Sequence, residues 1–196
     1  MLLLSEPSDT KIRKFLARAA ESNFTYSEIG ATLALIPPLF TVDRNRIRLG
    51  SGSRTWRGAV EAVKKWEMFN LGWVRLYWPD TPLATNKNVA IQAHHMGCYW
   101  LNACRIVYVI DEDGPVKRFG FAYGTLDDHA ESGEERFLVE WNRESDEVSY
   151  DLLAFSRPHQ FLSRVGRPFA RILQKRFAAQ SKAAVVRAIA RADREN

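Results

Sequence analysis

The sequence predicts an α+β fold of the helix-grip kind, a curved seven-stranded antiparallel sheet wrapped around a long C-terminal helix. Three observations predict it. Six strand-like runs follow one another between Trp73 and Phe155 with no helical pattern between them. One further strand and an amphipathic helix precede them, and a long amphipathic segment closes the chain. Sequential strands joined by short polar turns form an antiparallel meander, because parallel neighbours need long crossovers. The last helix must bury its apolar stripe and the sheet must bury one face, and packing the two together satisfies both. A bent sheet cannot close tightly on a helix everywhere, so a cavity between them is expected.

The elements follow in order. Ser8 or Asp9 can cap a helix to Ala20 whose stripe is Ile12, Phe15, Leu16 and Ala19. Gly30 and Pro37-Pro38 argue for irregular structure from Tyr26 to Phe40. Phe40 to Leu49 alternates as a strand and Gly50-Ser51-Gly52 breaks it. With Ser53 as a plausible cap, Trp56, Val60, Val63, Trp66 and Phe69 then recur at helical spacing, and Gly72 ends that helix. The six strands are Trp73–Trp78, Val89–Met96, Cys98–Ile110, Lys117–Leu126, Arg136–Trp141 and Val148–Phe155. Asp111 to Pro115 and Asn142 to Glu147 are turns by composition. After Pro158, Gly166 and Pro168, the residues Phe169, Ile172, Leu173, Phe177, Ala183, Val186, Ile189 and Ala190 trace the final helix. Residues 1–40 read as a helical and irregular extension packed on the domain, and residues 41–196 as the helix-grip domain.

The bulk numbers agree with a globular protein. The chain has 196 residues, 46% hydrophobic and 26% charged, the composition of an ordinary globular protein and not of a disordered one. No apolar run reaches the roughly 18–20 residues of a membrane span. The longest, Ala31 to Val42, is broken by Pro37-Pro38. The opening Met1-Leu2-Leu3-Leu4 lacks the basic start and long apolar core of a signal peptide, so the expected location is the cytosol. Cys98 and Cys104 are expected to be reduced strand cysteines that share a face. Residues 157–196 carry ten Lys/Arg against two acids, and the rest carries 18 against 21. The tail is therefore strongly basic on a mildly acidic body.

The stretches Tyr26-Ser27-Glu28-Ile29-Gly30, Arg48-Leu49-Gly50-Ser51-Gly52, Cys104-Arg105-Ile106-Val107-Tyr108 and Phe119-Gly120-Phe121-Ala122-Tyr123-Gly124-Thr125-Leu126 carry a resemblance. So do Trp66, Phe69, His129, Glu131, Gly133-Glu134-Glu135 and Ala154-Phe155-Ser156-Arg157-Pro158. Together they are similar to the family of domains of unknown function numbered nineteen-ninety, also called UPF 0548. The order of elements resembles the superfamily of START domains, birch-pollen-allergen-like proteins and polyketide cyclases. That resemblance implies a cavity for hydrophobic molecules and no particular catalytic residue.

Several residues are candidates for chemistry. In Phe119 to Gly124 large and small side chains alternate, so the small face either leaves room for a ligand, admits the long helix, or bends the sheet. The segment Asp127 to Glu135 is either a solvated acidic loop or a source of acid, base or metal ligands from His129, Glu131 and Glu134; Glu135 reads as lying where the next strand begins. His94-His95 face opposite sides of a strand and have no zinc spacing. Arg105 either faces solvent or turns inward to an anionic head group, with Asp151 a possible partner. The catalytic candidates are thus His129, Glu134 and Arg105. The ligand-contact candidates are Arg105, Tyr108, Phe121 and Tyr123 on strands, and Phe169 and Leu173 on the final helix. No metal and no cofactor is expected.

The first expected function is binding of a hydrophobic small molecule or lipid. An enzyme of cyclase, hydratase or hydrolase type using polar cavity residues is the second. The third is docking to an anionic membrane or nucleic acid through the basic final helix, with Arg167, Arg171, Lys175 and Lys182 as the contact. No specific nucleic acid is predicted, because aromatics do not interleave with these charges.

Overall fold

The computed structural model describes residues 1–36, 38–159 and 167–195, without the side chains at positions 158, 167–170, 193 and 195. Its elements are β1 (Leu2–Leu3), α1 (Asp9–Ala20), β2 (Thr41–Ser51), α2 (Gly52–Lys64), β3 (Val74–Tyr77), β4 (Asn88–His95), β5 (Cys98–Glu112), β6 (Val116–Thr125), β7 (Glu131–Asn142), β8 (Glu147–Pro158) and α3 (Arg167–Glu195). Seven strands pair in the order β2-β8-β7-β6-β5-β4-β3, and the two-residue β1 adds to β5. Every pairing is antiparallel. β3 to β8 form the expected meander. α2 carries the chain from β2 at one edge to β3 at the other.

The two faces of the sheet bury different things. On one face, α2 and α3 cover Ile106, Phe121, Phe137, Leu152 and Tyr150 together with Trp66. Phe121 and Phe137 are fully buried and stack with centroids 5.2 Å apart. Each such side chain contributes roughly 1.5–3 kcal/mol by leaving water. On the other face, α1 lays Ile12, Phe15 and Ala19 over Ala90, Leu101 and Ala103. The segment that follows α1 sets Tyr26, Ala31 and Phe40 against Phe155. Ser8 caps α1 by accepting from the Lys11 N–H at 3.4 Å.

Three sequence expectations need correction. The second helix stops at Lys64, short of Phe69. Trp66 takes a left-handed backbone (φ 56°), and a 3-10 turn, Glu67–Phe69, follows it. This reversal drives Met68 and Phe69 into the core, while the Trp66 indole N–H donates to Thr81 O at 2.9 Å. The acidic segment is only partly a loop, because β7 begins at Glu131 and pairs with β8 from its first residue. The apolar stripe of α3 holds only in part, at Phe177 and Ile189. Ile172 and Val186 are exposed, whereas Ala178, Ser181, Ala184, Val185 and Ala188 are buried. Small side chains there let the helix approach α2 closely, and Gly58 lies against Ile189. Gly166 falls outside the described residues.

The small face of β6 is turned away from α3. A Cβ on Gly124 would overlap the Tyr26 hydroxyl, and one on Gly120 would overlap the β7 backbone at Phe137. The first glycine therefore admits the N-terminal segment, and the second permits close strand approach.

Candidate functional site

Directly paired residues of antiparallel strands share a face. The register Ile106–Tyr123–Glu135–Ala154–Asp43 is thus one row across the face that meets the helices. The next row, Phe121–Phe137–Leu152–Asn45, is largely apolar. The first row is where polar groups enter the helix side of the sheet. Tyr123 donates to Glu135 Oε2 at 2.6 Å. Arg171 of α3 grips Asp43 with two N–H groups, at 2.5 and 2.7 Å, and also donates to Gln174 at 2.7 Å. Gln174 reaches Ser156 at 3.3 Å. Phe69, Phe137 and Phe177 form an aromatic wall beside this row, with centroids 5.4–6.1 Å from their ring neighbours, Tyr123 among them.

Glu135 is the unusual member. Burial pushes its carboxyl up to about 7; the Tyr123 hydrogen bond pulls the other way, and Asp43 adds to the rise. It nevertheless stays half-buried, as do Ala154, Asp43 and Gln174. A carboxyl that titrates near neutrality beside an aromatic wall can donate or accept a proton, and can donate a hydrogen bond when neutral. Burial also pushes the Tyr123 phenol well above its usual range, with Glu135 adding to the rise, so it remains a donor.

The opposite face holds a second polar cluster, built around Glu134. Its carboxylate accepts from Tyr26 at 2.9 Å, from the Gly30 N–H at 2.7 Å, from the Thr32 N–H at 3.1 Å and from the Thr32 hydroxyl. The Tyr108 hydroxyl lies 2.5 Å from that of Thr32. Arg136 donates to Thr32 O at 2.9 Å and to Asp151 at 2.8 Å. Gly30, at φ 84°, opens the 3-10 turn Ala31–Leu33, and Glu134 satisfies the amides at its start. Burial raises Tyr108 to about 12. These bonds make Glu134 an anchor for the N-terminal segment.

The sequence candidates are distributed between the two faces. Phe121 and Tyr123 face the helices, and Leu173 is half-buried on α3. The side chain of Phe169 lies outside those described. Tyr108 and Glu134 lie on the opposite face. So does Arg105, which donates to Asn88 at 2.8 Å and to the carbonyls of Ala19 and Ala20 at 2.9 and 3.0 Å. Its guanidinium closes the C-terminal end of α1, where a cation complements the unpaired carbonyls. Arg105→Ala is expected to cost about 1–2 kcal/mol in chemical denaturation, and Arg105→Lys to recover only part of it. Asp151 pairs with Arg136, not with Arg105.

His129 sits in the turn before β7, where its Nδ1 accepts from the Glu131 N–H at 3.0 Å. Burial holds its pKa down at about 4, so it is neutral at physiological pH. It shares no described hydrogen bond with Glu134 or Glu135, and no three potential metal ligands converge among the described residues. On the basic helix, Arg171 is committed to Asp43, and Lys182 reaches Asn45 at 3.2 Å. Lys175 is exposed, and the Arg167 side chain lies outside those described.

A family model described as a domain of unknown function, DUF1990, matches residues 25–184. The chain belongs to the DUF1990 family. A UPF0548 protein of Dictyostelium discoideum is 36% identical over 208 residues, covering 96% of each chain. Another, of Deinococcus radiodurans, is 33% identical over 96% of this chain and 98% of its own. Among solved structures, a hypothetical protein of Helicobacter pylori overlays with a TM-score of 0.49 at 10% identity, covering 76% of this chain and 85% of its own. Human STARD10 overlays at 0.41 and 10% identity, covering 90% and 80%. No described helix of this DUF1990 chain is long and apolar enough to cross a membrane.

In the DUF1990 chain the residue that sequence reasoning passed over is Glu135. A signal for it exists. Neighbouring residues of a strand face opposite sides, so Glu134-Glu135 on one strand must send one carboxylate toward the helices. Placing the start of β7 at Arg136 hid that consequence.

Proposed function

We propose that this protein holds an amphipathic small molecule between the helix face of the sheet and the first turns of α3, with Glu135 and Tyr123 as its polar anchor. The observation that carries this reading is Glu135 itself. Protein encloses it closely enough to lift its pKa to about 7, yet it keeps solvent contact. The half-buried ring of Phe177, backed by the buried Phe69 and Phe137, suits an apolar body, and a neutral Glu135 suits a carbonyl or hydroxyl head. Family membership supports the fold that frames this space, and the ligand class rests on these side chains. A second reading has one observation in its favour: a carboxyl poised near neutrality is what a general acid–base needs, so the same pair can serve a cyclase- or hydratase-like reaction.

The test is native mass spectrometry of protein purified gently from its own host, followed by denaturing extraction. A stoichiometric apolar mass is expected. It should be lost in Ala154→Leu, which adds volume beside Glu135, in a variant whose circular dichroism matches wild type. A protein that carries no such mass, and whose melting no fatty acid or prenol shifts, would refute the binding reading.

A further inference from the structure

Residues 33–39 read Leu-Ala-Leu-Ile-Pro-Pro-Leu, seven positions without a polar side chain. Burial of such a run is the ordinary outcome, but here its described residues are largely outside. Leu35 is 89% exposed, Leu39 77%, Leu33 59%, Ile29 53% and Val42 40%. The feet of the segment are fixed. Glu134 holds Gly30 and Thr32, Arg136 holds Thr32 O, and Phe40 packs edge-on against Phe155 at 4.9 Å. This anchoring presents the leucines outward and prevents them from folding onto the sheet.

The charge beside this crown is mainly positive, and the acid that precedes Ile29, Glu28, lies near Arg157. Arg157 lies over the Phe40 ring at 4.9 Å and is exposed. Arg44 stands on the same outer face of β2 as Val42, and makes no ion pair among the described residues. Arg46 and Arg48 continue that face, paired to Glu140 and Glu147.

We infer that the 29–42 crown is a docking surface for anionic membrane, its leucines entering the boundary between headgroups and acyl chains while Arg44 and Arg157 meet acidic headgroups. Shallow apolar insertion next to cationic side chains is how peripheral proteins hold a bilayer surface, and each contribution strengthens the other. A second copy of this chain is a poorer occupant. A two-fold contact through the crown would bring its arginine rims together. The surface is separate from the basic helix and does not require that the interior hold a ligand.

The experiment is co-sedimentation of the full chain with phosphatidylcholine vesicles, with and without phosphatidylserine. Binding is expected to the phosphatidylserine vesicles and to weaken with salt. Leu35→Asp/Leu39→Asp should reduce it roughly tenfold or more, and Arg44→Glu/Arg157→Glu should weaken it and abolish or reverse its salt dependence. Both variants change exposed side chains, and matching melting curves confirm their fold. The proposal is overturned by wild type that stays in solution with phosphatidylserine vesicles. Binding that survives the leucine variant but fails in Lys175→Glu/Arg187→Glu would overturn it too, by moving the contact to α3. So would binding to single-stranded RNA, or a dimer dissolved by the leucine variant, where vesicle binding is absent.

Discussion

Glu134→Ala is expected to destabilise the protein by about 3–5 kcal/mol, a substantial part of a domain's margin of roughly 5–15 kcal/mol. The carboxylate is 2% exposed and accepts from four donors in three residues of the N-terminal segment. Removing it leaves the Tyr26 hydroxyl, two backbone amides and the Thr32 hydroxyl facing a void. Glu134→Gln is expected to do little better. Its amide has one acceptor oxygen, and its NH2 would confront groups that are themselves donors. The loss should be local before it is global. Residues 22–40 should become sensitive to protease while the strands stay folded, because Tyr26, Ala31 and Phe40 cover Phe155 only while the anchor holds. Urea denaturation measures the energy, and limited proteolysis with mass mapping locates the opening. A variant of wild-type stability with an intact 22–40 segment would show that the anchor carries no energy. Detachment should also abolish vesicle binding, since the crown is presented by the same anchor.

The sheet was legible because its signals are local. Alternation in Phe119 to Tyr123 and the turn composition of Asp111 to Pro115 act over a few residues, and the order of strands follows from short connections. The end of the second helix was not legible. Trp66 and Phe69 keep helical spacing in sequence, but their burial is achieved by a left-handed reversal that no periodicity reports. The face of α3 was legible only in part, at Phe177 and Ile189, because the sequence advertises its large apolar residues, while close packing on α2 also selects small ones such as Ala184 and Ala188. The candidate site depended on register. With β7 begun five residues too late, Glu134 and Glu135 looked like loop acids. On opposite faces of one strand they have different roles, one an anchor for the chain and the other a titrating group beside the aromatic wall. Arg105 shows the limit from the other side. An arginine amid apolar strand residues suggested a ligand head group, and its partners are the last carbonyls of a helix distant in sequence.

Two half-buried groups should give the protein opposing pH dependences that single substitutions separate. Glu135 is raised from 4.5 to about 7, so between those values the unfolded chain has released a proton that the folded protein keeps. Its stabilising contribution is greatest below 4.5 and is lost as pH rises through about 7, a change on the order of 3 kcal/mol. His129 is lowered from 6.5 to about 4, so between those values the unfolded chain binds a proton that the folded protein refuses. Its contribution is full above 6.5 and is lost as pH falls toward 4, by a similar amount. From about 4.5 to 6.5 the two slopes oppose each other, and their sum is nearly flat. Glu135→Gln keeps an acceptor for Tyr123 but cannot ionise, so it should stabilise the protein above about pH 7 and expose the rising limb of His129. His129→Gln should expose the falling limb of Glu135. Urea melts across this range, read for wild type and both variants, test the pair. Parallel curves for the three proteins would mean that neither group changes its pKa on folding. They would also remove the near-neutral carboxyl on which the binding site and the acid–base reading both rest.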